Sequence, residues 1–134
     1  MLLVSDIMQA DVRTIAADAP VADAIMALAD SHISGLPVLD RTGQLVGVVS
    51  STDILAAEAE SVEGGGLNQV ATHTRVSEIM SRQPKTVDPT TPVKVAAQEM
   101  LYLDVHRLLV VKDGKLMGVI SQSDIVRAVA SGRL

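Results

Sequence analysis

Apolar positions recur along the chain in two alternating rhythms. From Pro20 onward they fall at helical spacing, at Val21, Ala24, Ile25, Leu28 and Ala29, and the same spacing returns after Pro92 at Val93, Ala96, Ala97, Met100 and Leu101. Each set predicts a helix with one buried stripe, and the proline before it suits a helix entry, where a missing N–H costs nothing. Short β-branched runs follow, LPVLD (36–40) then LVGVVS (45–50) in one place, LLVVKD (108–113) then LMGVIS (116–121) in the other. These predict strand pairs joined through DRTG (40–43) and KDG (112–114) as hairpin turns. STDILAAEA and QSDIVRAVA then return to helical patterning, and a short extended stretch around RTIA or KTVD precedes each first helix. The predicted unit is therefore helix, strand, turn, strand, helix, present twice.

Self-comparison makes the duplication explicit. A shift of 72 pairs VSDIM (4–8) with VSEIM (76–80), RTIAADAPV (13–21) with KTVDPTTPV (85–93), and LPVL (36–39) with LLVV (108–111). One residue is dropped in the turn, where length is cheapest to change. Beyond it a shift of 71 pairs QLVGVVSSTDIL (44–55) with KLMGVISQSDIV (115–126). The division expected from this is repeat 1 over 1–59, a Gly64-Gly65-Gly66 connector over 60–75, and repeat 2 over 76–134. Units so small seldom bury enough surface alone, so the two are expected to share their apolar faces.

The most informative local motif is Ser50-x-x-Asp53 and its twin Ser121-x-x-Asp124, each at a strand-to-helix junction. A hydroxyl followed three residues later by an acid is the pattern by which a helix caps its own first turn. The same groups suit a ribose phosphate, because N-terminal amides and hydroxyls bind phosphate and a carboxylate can accept from both hydroxyls of a ribose. Both readings are open on spacing alone. Retention of hydroxyl and acid in both copies favours the second.

In ordered, duplicated combination, VSDIM/VSEIM, the PV helix entries, SGLPVLD and HRLLVVKD, GVVS/GVIS and the closing hydroxyl, Asp and Ile resemble a tandem pair of CBS (cystathionine β-synthase type) domains, a Bateman module. The resemblance covers 4–59 and 76–131. It implies an α+β fold of two βαββα repeats packed through their sheets about a pseudo-twofold axis, with two clefts that bind adenosine compounds such as AMP, ADP, ATP or S-adenosylmethionine. It further implies regulation of a partner protein, with no enzymatic activity, no required cofactor and a homodimeric assembly. A partner domain is not expected within this chain.

By the same resemblance one cleft would combine Ser50, Thr52 and Asp53 with Met80, Lys85, Val105, His106 and Arg107. The other would combine Ser121, Ser123 and Asp124 with Met8, Arg13, Ile33 and Ser34. The first collects more cationic side chains, so it is expected to hold phosphate better, although each of these residues could equally be a solvated surface charge. The alternative for the whole chain is a structural dimerisation or scaffold module that binds no ligand.

Composition narrows the partners. The net charge of −5, with Tyr102 as the sole aromatic residue, provides neither the basic face nor the stacking platforms of a nucleic-acid binder. Any planar ligand must be gripped by aliphatic side chains and backbone. The absence of cysteine excludes disulfides and thiolate chemistry and agrees with a reducing, cytoplasmic setting. No apolar stretch approaches the roughly 20 residues that a membrane span needs, and MLLVSDIMQADVRT meets Asp6 too soon for a signal peptide. His32, His73 and His106 are too scattered in sequence to predict a metal site. Met8, Met26, Met80, Met100 and Met117 are expected to fill core or interface gaps.

Overall fold

The computed structural model describes residues 1–31, 33–60 and 73–134. His32 and the Gly64-Gly65-Gly66 connector lie outside the described residues. In the first repeat the elements are α1 (Val4–Ile7), β1 (Ile15–Ala16), α2 (Val21–Ser31), β2 (Gly35–Leu39), β3 (Leu45–Ser50) and α3 (Ser51–Ala59). The second repeat follows the same order with α4 (Val76–Ile79), β4 (Thr86–Val87), α5 (Val93–Leu103), β5 (Arg107–Lys112), β6 (Lys115–Ser121) and α6 (Gln122–Ala130). The fold is mixed α+β, with two three-stranded sheets ordered β1-β2-β3 and β4-β5-β6.

Within each sheet a two-residue strand runs parallel to its neighbour and the next pair is antiparallel. The parallel pairing requires a crossover, which α2 and α5 provide. The antiparallel pairing closes through the predicted hairpins. Asp113 and Gly114 both take positive φ, 53° and 79°, as a two-residue turn of this hand demands. The longer first turn is organised by Asp40, whose carboxylate accepts from the Thr42 and Gln44 amides at 2.9 and 3.0 Å.

The chain folds as two compact units that divide the sequence at different points from the repeats. One contains Arg13–Pro84 and the other Met1–Val12 with Lys85–Leu134. The short opening helix of each repeat is thus built into the unit that carries the other repeat's sheet. Val4 and Ser5 amides donate to the Thr91 and Pro89 carbonyls, and Val76 and Ser77 amides donate to Ala19 and Ala17. At the entrance of each short helix an acid accepts from the preceding backbone N–H, Asp6 from Leu3 at 2.8 Å and Glu78 from Arg75 at 2.6 Å.

This exchange completes the two cores. Val76 and Met80 join Ala24, Leu28, Leu36, Val38 and Val49 in one unit, and Val4 joins Ala96, Met100, Leu108, Val110 and Ile120 in the other. Val4 and Val76 have no exposed surface. The predicted helix stripes need two corrections. Ala29 and Leu101 are exposed rather than buried, because each stripe turns with the 3.6-residue period and Ala27 takes the core place in α2. Of the methionines, Met100 and Met80 are buried in cores, whereas Met26 and Met117 are exposed.

Two glycines let the exchanged segments reach the sheets. Val48 on β3 exchanges backbone hydrogen bonds of 2.9 Å with Ser81, and Val119 on β6 does so with Gln9 at 2.8 and 2.9 Å. A Cβ on Gly47 would stand 2.5 Å from the Ser81 carbonyl oxygen, and one on Gly118 would stand 2.6 Å from that of Gln9. Only a bare Cα admits this approach.

Deleting the exchanged valine should expose its energetic weight. Val76→Ala removes two methyl groups from a fully buried site and should lower stability by about 2 kcal/mol in urea unfolding. A loss below about 0.5 kcal/mol, the scale of a surface substitution, would show that the exchanged helix is not part of the core.

Candidate functional site

The strand-to-helix junctions β3–α3 and β6–α6 carry the duplicated Ser/Asp motif in nearly identical geometry. Ser50 caps α3 by accepting from the Asp53 amide at 3.2 Å, while Asp53 Oδ2 accepts from the Ser50 amide at 2.8 Å and from the Ser50 hydroxyl at 3.0 Å. Ser121 and Asp124 repeat all three bonds at 3.2, 2.8 and 3.0 Å. Both motifs are therefore complete capping boxes. Each cap occupies Oδ2 and leaves Oδ1 for other partners.

Inside each unit further residues gather at this junction. The Ser34 carbonyl accepts from the Ser51 amide at 3.0 Å, and Gly35 pairs with Ser50 across the sheet. In the other unit the His106 carbonyl accepts from the Gln122 amide at 2.9 Å, the Val105 carbonyl accepts from the Gln122 side chain at 3.2 Å, and Arg107 pairs with Ser121. Ile33 and Val105 are half-buried against their cores, whereas Ser34, His106 and Arg107 are exposed. Thr52 and Ser123, the second hydroxyls, are exposed on the first turns of α3 and α6.

Of the residues singled out in the sequence, Met80, Arg13, Ile33 and Ser34 share a unit with Asp53, and Met8, Lys85, Val105, His106 and Arg107 share one with Asp124. Met80 and Met8 thus lie in the same units as Asp53 and Asp124 respectively. The expected grouping of Lys85, Val105, His106 and Arg107 with Asp53, and of Arg13, Ile33 and Ser34 with Asp124, draws on both units. The Arg13 guanidinium donates to the Ser31 hydroxyl at the end of α2. Lys85 is exposed, with its carbonyl accepting from the Leu109 amide.

Three residues at the junctions were not singled out in the sequence. Ser81 donates its hydroxyl to Asp53 Oδ1 at 3.3 Å. Asp124 Oδ1 accepts from the Gln9 side chain at 3.1 Å and from the Arg127 guanidinium at 2.5 Å. Gln9 and Ser81 are equivalent in the repeat, both following the VS(D/E)IM motif, and that position was the available signal. Arg127 stands three residues after Asp124 on one helix face, the spacing of an ion pair.

The surroundings of the two carboxylates differ. Asp124 is 5% exposed, and Asp53 is half-buried. Burial pushes the Asp124 carboxyl up, but hydrogen bonds from the Ser121 amide, the Gln9 side chain and the Ser121 hydroxyl, with the Arg127 charge, outweigh it and hold the group below 3.8. A recess of about 640 Å³ opens beside it, bordered by Asp6, Met8, Gln9, Asp124, Arg127 and Arg133. Among the described residues no cluster of three or more His, Cys, Asp or Glu side chains could hold a metal ion, and no helix is long and apolar enough to cross a membrane.

The model of the CBS domain family matches residues 4–60 and 76–131. The chloroplastic CBS domain-containing protein CBSX1 of Arabidopsis thaliana is 30% identical over 88% of this chain, which spans 59% of that protein's length. The crystal structure of CBSX2 in complex with AMP is similar over the full length of both chains, at 31% identity and a TM-score of 0.81. A CBS domain pair solved with 5′-methylthioadenosine and S-adenosyl-L-methionine is 28% identical, covers 98% of each chain and has a TM-score of 0.75.

The lowered Asp124 pKa sets the sign of an acid dependence. A carboxyl titrating lower when folded than when unfolded adds stability that is complete above the unfolded value and disappears as pH falls through the folded one. The stability gap between wild type and Asp124→Asn in urea should therefore narrow as pH falls from 7 to below 3.8. A gap that stays constant over this range would show that the Asp124 carboxylate is not held by these bonds.

Proposed function

The chain belongs to the CBS domain family, and from that premise we propose that it is a regulatory module that senses an adenosine-containing ligand and signals to a partner protein. The observation that carries this reading is the duplicated Ser/Asp junction. Each acid spends Oδ2 on its own helix, so a ligand would address Oδ1 by replacing side-chain donors, Ser81 at Asp53 and Gln9 with Arg127 at Asp124. The ribose hydroxyls would donate to the Asp carboxylate. A phosphate would meet the N-terminal amides and hydroxyls of α3 or α6, with exposed Lys85 and Arg107 as sources of positive charge and exposed His106 as a hydrogen-bond donor. The AMP held by CBSX2 and the methylthioadenosine and S-adenosylmethionine of the second relative support an adenosine ligand.

No catalytic step and no required cofactor are proposed. Signalling follows if the ligand binds one conformation of the module better than another and so shifts the population between them. Exposed apolar side chains on the helices, Met26 and Leu55 in one unit and Leu101, Val126 and Val129 in the other, would supply surface for a homodimer or for the regulated partner. A second reading, that of a scaffold without ligand, is favoured by the completed capping boxes, since capping alone accounts for both Ser/Asp pairs.

Thermal and chemical stability in the presence of AMP, ADP, ATP, S-adenosylmethionine and NAD separates the two. A ligand at 100 times its dissociation constant should stabilise the chain by about 2.7 kcal/mol, and Asp53→Ala or Asp124→Ala should diminish the gain. No stabilisation by any of the five would leave the scaffold reading.

A further inference from the structure

We infer that Arg127 is a latch on the Asp124 carboxylate, making the two ribose-binding positions of this chain unequal. The inference rests on the adenosine reading proposed above and is specific to side chains that the repeat does not share. The shift of 72 that aligns the repeat openings pairs Gln9 with Ser81, and the shift of 71 that aligns Asp124 with Asp53 pairs Arg127 with Ala56. The cap bonds at the two junctions are the same, so the difference falls on Oδ1, the oxygen that a ribose would address.

At Asp53 that oxygen accepts, among the described residues, from the Ser81 hydroxyl at 3.3 Å, a long bond between groups readily exchanged for a ligand hydroxyl. At Asp124 it accepts from Gln9 at 3.1 Å and from the Arg127 guanidinium at 2.5 Å, the latter a charge-assisted bond. A carboxylate that is 5% exposed must keep its lone pairs satisfied, so a diol can reach it only by replacing these donors. The Arg127 side chain is 66% exposed, and its guanidinium can leave for water without opening a hole in the core. The contact is therefore reversible. It closes Asp124 against weak or scarce ligands and yields to stronger ones, while Asp53 has an alanine where the latch would be.

The test is calorimetric titration with AMP of four full-length forms: wild type, Arg127→Ala, Asp53→Ala, and Asp53→Ala combined with Arg127→Ala. With Asp53 removed, loss of Arg127 should tighten the remaining AMP binding about fivefold, the scale of an exposed ion pair. Unchanged binding overturns the latch, and so does weaker binding, which would make Arg127 a ligand contact. Absence of AMP binding by the wild type and every variant overturns the adenosine reading for AMP and the latch with it; wild-type binding unaffected by Arg127→Ala in either background overturns the latch alone. A second readout needs no ligand. In carboxyl ¹³C NMR the Asp124 titration should move to higher pH in Arg127→Ala, and an unmoved titration overturns the contact itself.

Discussion

The burial of Val4, and of Val76 with Met80, in cores otherwise built from the other repeat is the interaction on which the rest of the structure depends. Each βαββ segment presents an apolar face that its own opening helix does not cover. Filling that face with the opening valine of the other repeat ties the two repeats together by core packing. The same exchange carries Met8–Gln9 along β6 and Met80–Ser81 along β3, where Gly118 and Gly47 leave room for the backbone. The residue that follows each opening motif is thereby delivered to the Asp at the start of α6 or α3. Core completion and the placement of Gln9 and Ser81 beside the two carboxylates are consequences of one chain path.

At those junctions a single side chain divides its two oxygens between different partners. Asp53 and Asp124 each hold the backbone and hydroxyl of the preceding serine through Oδ2, fixing the carboxylate in place. The orientation of Oδ1 then costs no further side-chain entropy when a ligand arrives. The cap is the device that preorganises the proposed ribose acceptor. What distinguishes the junctions is the partner of Oδ1: a serine hydroxyl in one, an amide and a guanidinium in the other.

Much of this architecture was legible in the residues. The helical stripes after Pro20 and Pro92, the paired strands and the Asp113-Gly114 turn follow from periodicity and turn chemistry, and the capping boxes from the Ser/Asp spacing. The exchange was not legible, because the matched VSDIM and VSEIM openings mark a repeat without reporting which core Val4 and Val76 enter. For the same reason Ala29 and Leu101 were expected in stripes from which the helix rotation excludes them. Ser81, Gln9 and Arg127 escaped notice because polar residues of no distinctive spacing acquire meaning only when the fold brings them to a carboxylate. Comparing the repeats position by position, Gln9 with Ser81 and Arg127 with Ala56, recovers the difference once the site is known.

The most direct test of the central claim, that the Ser/Asp junctions bind an adenosine ligand, is an amide NMR titration of the intact chain with AMP. The account predicts saturable shifts centred on Ser50, Thr52 and Asp53, completed at lower AMP concentration than those of Ser121, Ser123 and Asp124. Shifts confined to other parts of the chain, or none at all, would contradict it.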